Sequence, residues 1–102
     1  MELTHLRYFA AVARTLHFRR AASVLNMTQA PLSAAIRKLE DELGAELFKR
    51  TSRSVELTAA GNFFLPEAEA VLNRAEQAQK RLQNFLHKKQ HKNIKNNYCV
   101  LT

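Results

Sequence analysis

The stretch that decides the fold is residues 26–44, NMTQAPLSAAIRKLEDELG. Four of its apolar residues recur at steps of four, three and four, which predicts an amphipathic helix. They are Leu32, Ile36, Leu39 and Leu43, and we expect all four to be buried. Thr28 is a suitable N-cap, and Pro31 fits the first turn, where no helical N–H is lost. Gly44 suits the left-handed position that ends a helix, so the predicted helix runs from Thr28 to Gly44.

Two further apolar patterns lie upstream of this helix. The first recurs at helical spacing from Leu3 to Leu16, and a shorter one follows from Phe18 to Leu25. The pair Asn26-Met27 then forms a turn before the third helix. Helix, short turn and helix is the plan of the helix-turn-helix, whose second helix enters the major groove of DNA.

Downstream of Gly44 the pattern changes from helix to hairpin and back to helix. Residues 47–50 and 54–57 flank the turn-like segment 51–53, which predicts a small two-stranded hairpin. Thr58 is expected to cap a fourth helix that runs to about Leu86.

The fourth helix carries apolar residues at alternating steps of four and three, a 3.5-residue repeat typical of coiled coils. They are Phe64, Ala68, Val71, Ala75, Ala78, Leu82 and Phe85. Because a domain this small is not expected to cover the whole row, we predict that it pairs with a second copy of the chain. The alternative is that it packs only on the first helix of its own domain.

Charge is distributed unevenly along the chain. Residues 1–86 hold 12 Lys and Arg against 9 Asp and Glu, whereas residues 87–102 hold four Lys and no acid. The net charge of +7 therefore comes largely from the last segment and does not by itself show that the folded part binds nucleic acid. Residues 87–102 also lack Ala and apolar periodicity, so we predict a basic tail that is disordered or a frayed extension of the preceding helix. The change in composition suggests the hypothesis that the chain is a longer protein cut short, with an unrelated tail.

Length, hydrophobicity and cysteine content limit the classes of protein to which the chain can belong. The 102 residues suffice for one small domain, no apolar run is long enough to span a membrane, and no signal peptide is recognisable. The single cysteine, Cys99, excludes an internal disulfide and fits a reducing compartment. These features predict a cytoplasmic protein without a membrane partner.

The start of the third helix carries side chains suited to DNA. Gln29 has a donor and an acceptor on one planar amide, which can pair with adenine N6 and N7. Thr28 and Ser33 can bond phosphates or bases, and Arg37 is placed two turns further on for a phosphate. The alternatives are that Thr28 only caps the helix, that Ser33 is merely solvated, and that Arg37 pairs with Asp41 on the surface.

The hairpin has a basic tip, with Arg50 and Arg53 on either side of the turn. A basic tip beside a helix-turn-helix suits a wing that lies along the adjacent minor groove, where A·T tracts concentrate negative potential. A solvated charged loop is the alternative.

Two runs carry a resemblance to a known family: LRYFAAVARTLHFRRAA at residues 6–22 and TQAPLSAAIRKLEDELGAELFKRTSRSVELTAAG at residues 28–61. In motif order and spacing, the chain over roughly residues 1–86 resembles the N-terminal domain of LysR-type transcriptional regulators. The implied fold is mainly α: a winged helix-turn-helix, with a three-helix core and a small two-stranded wing, followed by a long dimerising linker helix. The implied domains are residues 1–58 for DNA binding, 59–86 for the linker and 87–102 for the tail.

The resemblance also implies a function, namely transcriptional regulation in the bacterial cytoplasm by a homodimer that binds double-stranded DNA at an interrupted inverted repeat. The DNA-facing residues it implies are Thr28, Gln29, Ala30, Pro31, Ser33 and Arg37 on the recognition helix, with Arg50 at the backbone and Arg53 in the wing. Ala34 and Ala35 depart from the family, which usually has Arg and a polar residue there. The effector-binding domain of roughly two hundred residues is absent from these 102, so no small-molecule effector is expected.

Other functions find little support in the sequence. No catalytic constellation or Gly-rich phosphate loop is present, so we expect neither an enzyme nor a cofactor. His87, His91 and Cys99 are near one another but lack the partners that orient metal ligands, so no metal is expected. A protein-interaction module, in which the linker helix forms mixed dimers with full-length relatives, remains the alternative to a DNA-binding homodimer.

Overall fold

The computed structural model describes residues 1–92, with side chains as far as residue 88. Four helices and one two-stranded antiparallel sheet follow one another along the chain. They are α1 (Leu3–Thr15), α2 (Phe18–Val24), α3 (Gln29–Leu43), β1 (Phe48–Arg50), β2 (Val55–Leu57) and α4 (Ala59–Lys92). In the sheet, Phe48 lies opposite Leu57 and Arg50 opposite Val55. The predicted fold class, a winged helix-turn-helix followed by a long helix, is confirmed.

The core lies between the three short helices and the wing, and aromatic rings join its parts. Phe9 of α1 is fully buried, and its ring centroid lies 5.4 Å from that of Phe48 in β1 and 5.5 Å from that of Phe64 in α4. Phe18 of α2 meets Phe48 edge to face at 5.9 Å. Helix α3 packs on this core, to which α1, α2, β1 and α4 all contribute.

Helix α3 buries three of the four apolar residues that predicted it. Leu32, Ile36 and Leu39 are completely buried, but Leu43 is 39% exposed. Leu43 lies in the last turn, directly before Gly44, which adopts the predicted left-handed conformation with φ of 72°. The expectation that Leu43 is buried is wrong because the helix ends at the edge of the core.

The residues that cap the N-termini of the helices agree with the prediction in position, but Thr28 lacks a side-chain hydrogen bond. Thr28 occupies the N-cap position of α3 with extended backbone, but its side chain makes no capping hydrogen bond. Instead, His17 caps α2, since its Nδ1 accepts the backbone N–H of Arg20 at 3.1 Å. Thr58 caps α4 as predicted, because its Oγ1 accepts the N–H of Gly61 at 3.0 Å. The predicted N-cap position of Thr28 is therefore confirmed, but its side chain does not form the capping hydrogen bond.

The first turns of α4 pack tightly against Leu47, which directly precedes β1, and against Leu57 of β2. A Cβ atom on Gly61 would collide with the carbonyl oxygen of Leu47 and lie 2.9 Å from a methyl group of Leu57. Further along, Phe64 packs on the core and Ala68 is completely buried in it. Phe64 and Ala68, the first two positions of the predicted dimer row, therefore contribute to the core of their own domain: Phe64 is half-buried and Ala68 has no exposed surface in the single chain.

Two compact units are distinguished along the chain, residues 1–72 and residues from 73 onward. The described part of the second unit, residues 73–92, consists of α4 alone. The helix continues six residues beyond the predicted end at Leu86, so residues 87–92 are helical and extend α4. The rest of the predicted tail, including Cys99, lies outside the described residues.

Within the described residues, no helix is both long enough and apolar enough to cross a membrane.

Candidate nucleic-acid interface

One stripe of polar side chains runs along α3 on the side away from the core. Gln29, Ser33 and Arg37 follow one another at steps of four, so they share one face of the helix. Gln29 and Arg37 are exposed and Ser33 is half-buried. The fully buried face of the same helix holds this stripe in a fixed orientation. The amide, the hydroxyl and the guanidinium are therefore presented together to solvent.

The wing tip, residues 51–54, is held by hydrogen bonds centred on Thr51. Its Oγ1 accepts the N–H groups of Arg53 at 3.3 Å and of Ser54 at 3.0 Å, and its own N–H donates to the carbonyl of Ser54 at 2.9 Å. The tip is thus a closed turn, and Arg53 projects from it as an exposed side chain. This arrangement is compatible with the prediction that Arg53 is the DNA-contacting arginine of the wing.

A groove of about 520 Å³ separates α3 from the wing, with the start of α2 along its side. The predicted residues Gln29, Ser33 and Arg37 line one wall, and Arg50 and Arg53 line the other. Among the described residues, no carboxylate lines this groove. Thr28, Ala30 and Pro31 do not line it, but all three are exposed in or beside the first turn of α3. The structure therefore brings five of the eight predicted residues together and leaves the other three at the outer edge.

Arg50 is engaged within the domain. Its Nη2 lies 3.5 Å from Oε1 of Glu40, and its guanidinium carbon lies 4.5 Å above the ring of Phe18. The ion pair lacks hydrogen-bond geometry, since Nη2 is buried without a hydrogen-bond partner. Because Glu40 offsets its charge, Arg50 contributes less to the field of the groove than its sequence position suggests.

The other three arginines of the groove carry uncompensated charge. Within the part of the chain that the structure describes, no ion pair is formed by Arg19, Arg37 or Arg53, and the alternative pair between Arg37 and Asp41 is not present. A second groove beside it is lined by Glu40, Asp41 and Glu46 as well as by basic residues. Of these two grooves, only the one between α3 and the wing is lined by charged side chains of a single, positive sign. A positively charged groove attracts a polyanion.

Among the groove-lining residues that the sequence prediction missed, two carry side chains that can bear positive charge, His17 and Arg19. The apolar pattern of α2 could have predicted Arg19. Because the helix buries Phe18, Ala21 and Ala22, the positions between Phe18 and Ala21 face solvent. Arg19 is therefore exposed beside the capping residue His17. It adds a cation from α2 to those supplied by α3 and the wing.

Several of the predicted dimer residues of α4 remain accessible. Val71 is 43% exposed and Leu82 is 57% exposed. Ala78 and Phe85 are also exposed, whereas Ala75 is half-buried. The accessible part of the row therefore begins at Val71, beyond the two positions that pack into the domain core.

Within the described residues, no three metal-ligating side chains form a group. The side chain of His91 and all of Cys99, two members of the cluster considered from the sequence, lie outside the described residues.

Comparison with known proteins points to one family. Residues 3–62 match the profile of the bacterial regulatory helix-turn-helix protein, lysR family. The HTH-type transcriptional regulator AlsR of Bacillus subtilis (strain 168) is 60% identical over 72 residues, which are 71% of this chain and 24% of that protein. BudR of Klebsiella aerogenes, also an HTH-type transcriptional regulator, is 54% identical over 72 residues, 71% of this chain and 50% of that protein. The chain thus spans about a quarter to a half of the length of these relatives.

The fold is also similar to that of a solved protein–DNA complex. The crystal structure described as a CbnR_DBD–DNA complex superimposes with a TM-score of 0.81 at 37% identity, covering 84% of this chain and 99% of that one. The profile match ends at residue 62, four residues into α4. The structural similarity covers more of the chain and therefore includes a longer part of α4.

Proposed function

The chain belongs to the lysR family of bacterial regulatory helix-turn-helix proteins, and on that premise we propose that it binds double-stranded DNA sequence-specifically as a homodimer. The binding site is an interrupted inverted repeat, with one half-site for each copy. The function is transcriptional regulation, which implies a location in the bacterial cytoplasm, at the nucleoid when bound. The relatives are named as regulators and not as enzymes.

The observation that carries this proposal is the groove between α3 and the wing, which is lined by four arginines and no carboxylate. Neutralising phosphates supplies most of the affinity for DNA, and the three uncompensated arginines are suited to that. Gln29, exposed in the first turn of α3, supplies a base-reading amide because recognition helices contact base edges near their N-termini. Arg53, at the exposed tip of the wing, is suited to the narrow minor groove beside that site.

The dimer is supported by the accessible apolar side chains of α4. Val71 and Leu82 expose a large part of their surface to solvent, and Ala78 between them is small enough to allow close approach of a second helix. A second copy that covers these residues gains hydrophobic free energy. Two recognition helices joined in this way bind two half-sites with a large gain in effective concentration.

The experiment that tests the proposal is in-vitro selection of DNA sites by the purified chain, combined with a mass measurement of the resulting complex. We expect a palindromic consensus and a mass equal to one duplex and two chains. The same selection with the variant Gln29→Ala should lose the preference at one base pair in each half-site and keep the rest, because only one amide is removed.

Each other outcome has a definite meaning. Selection of no consensus would contradict sequence-specific binding, and a 1:1 complex would contradict the homodimer. A chain that selects no site but forms dimers with a full-length relative would favour the alternative function, that of a protein-interaction module.

A further inference from the structure

Two exposed alanines lie on α3 beside the polar stripe. Ala30 and Ala34 are four residues apart, so they lie one above the other on one helix face. Both are exposed, whereas Leu32, Ile36 and Leu39 on the opposite side are completely buried. An exposed alanine offers a methyl group and no hydrogen-bonding atom. The outward face of α3 therefore combines two methyl groups with the adjoining side chains of Gln29, Ser33 and Arg37.

The major groove contains one kind of apolar group, the C5-methyl of thymine. A methyl side chain pressed against guanine O6 or cytosine N4 would remove that group from water without giving it a partner, which costs free energy. Against a thymine methyl, the same side chain buries apolar surface on both molecules. We propose that Ala30 and Ala34 select thymine at two positions of each half-site. This inference rests on the proposed DNA binding and specifies part of what α3 recognises.

The spacing of the two alanines limits which thymines they contact. Side chains four apart on a helix have Cβ atoms about 5–6 Å apart. Successive bases on one strand are separated by about 3.4 Å along the axis. The two thymines therefore lie one or two base pairs apart in the half-site, near the adenine that pairs with Gln29.

The test replaces thymines of the selected consensus, one at a time, by deoxyuridine. This removes the methyl group alone and keeps every hydrogen-bonding atom of the base. At two positions per half-site we expect binding about fourfold weaker, the change that corresponds to about 0.8 kcal/mol for one buried methyl group. Thymines outside the region that the protein protects are the control, and their replacement should leave affinity unchanged.

Protein variants then assign each thymine to its alanine. Ala34→Gly should abolish the deoxyuridine effect at one thymine and keep it at the other, and Ala30→Gly should do the reverse. Because glycine weakens a helix, Ala34→Ser serves as a second variant that replaces the exposed methyl by a polar hydroxymethyl group, and circular dichroism confirms that each variant is folded. The ratio of affinities for the two DNAs is compared within each variant, so a uniform loss of affinity does not affect the result.

Two results would overturn the inference: no thymine of the consensus responds to deoxyuridine, or the responding thymines keep their full effect in all three variants. Both leave the proposed DNA binding intact, since a consensus has then been selected. Failure of the proposed function would appear earlier, as the absence of any consensus.

Discussion

Replacing Glu40 by Gln should destabilise the domain strongly, although Glu40 lies in an acidic run that looks like an ordinary solvated surface. Its Oε2 accepts the backbone N–H groups of Leu47 at 2.8 Å and Phe48 at 3.2 Å. Its Oε1 lies 3.5 Å from Arg50, which in turn covers the ring of Phe18. One carboxylate therefore joins α3 to the first strand of the wing and, through Arg50, to α2.

The expected loss in the free energy of unfolding follows from these contacts. Hydrogen bonds to a charged group contribute about 1.5–3 kcal/mol each, and Gln weakens both by removing the charge. The Gln amide also turns an N–H donor toward a guanidinium that can only donate. The Arg50 side chain is 26% exposed, so the loss falls below the 3–5 kcal/mol typical of a fully buried pair. We expect the free energy of unfolding to fall by about 2–3 kcal/mol, which lowers Tm by about 10–20 °C for a domain of this size.

Urea and thermal unfolding of the wild type and the variant measure this loss, at one protein concentration because the proposed dimerisation would make stability depend on concentration. The matched control is Glu56→Gln, an exposed residue of the second strand, which should change stability by less than about 0.5 kcal/mol. In the double variant with Arg50→Met, the combined loss should be smaller than the sum of the single losses. Equal stability of Glu40→Gln and Glu56→Gln would refute the reasoning.

Three further predictions concern the core, the wing and the dimer. Gly61→Ala should reduce the free energy of unfolding by about 3 kcal/mol, because its methyl collides with the Leu47 carbonyl; a wild-type urea midpoint would contradict this. Arg53→Ala should weaken binding by about 1–3 kcal/mol, most at A·T-rich flanks, and an equal loss on every duplex in a titration would argue against minor-groove recognition. Val71→Asp should give monomers in light scattering, and a persistent dimer would locate the interface elsewhere.

Much of the fold could be predicted because local patterns decide it. The periodicity of α3 and the turn-like residues 51–53 fix a helix and a hairpin before any tertiary contact is known. Gly44 ends α3 because glycine readily adopts a left-handed backbone conformation. Thr58 starts α4 because its hydroxyl accepts a backbone N–H of the first turn. These signals act within a few residues, so the sequence contains them directly.

The remaining features depend on contacts between distant parts of the chain. Glu40 accepts hydrogen bonds from residues seven and eight positions away, and no local pattern distinguishes it from its acidic neighbours. Ala68 continues the 3.5-residue repeat without a break, yet it is buried because the core reaches that far along α4. Arg50 and Arg53 look equivalent in the sequence, but only Arg50 lies above an aromatic ring and beside a carboxylate.

The central claim, that the groove between α3 and the wing is the DNA interface, is tested most directly by the salt dependence of binding to the selected duplex. Arg37→Gln removes a cation from the groove, and Arg7→Gln removes an exposed cation of α1 that does not line it. We predict that Arg37→Gln weakens binding and reduces the slope of log K against log salt concentration by about one, while Arg7→Gln changes neither. Equal effects of the two substitutions, or an unchanged slope for Arg37→Gln, would contradict the account.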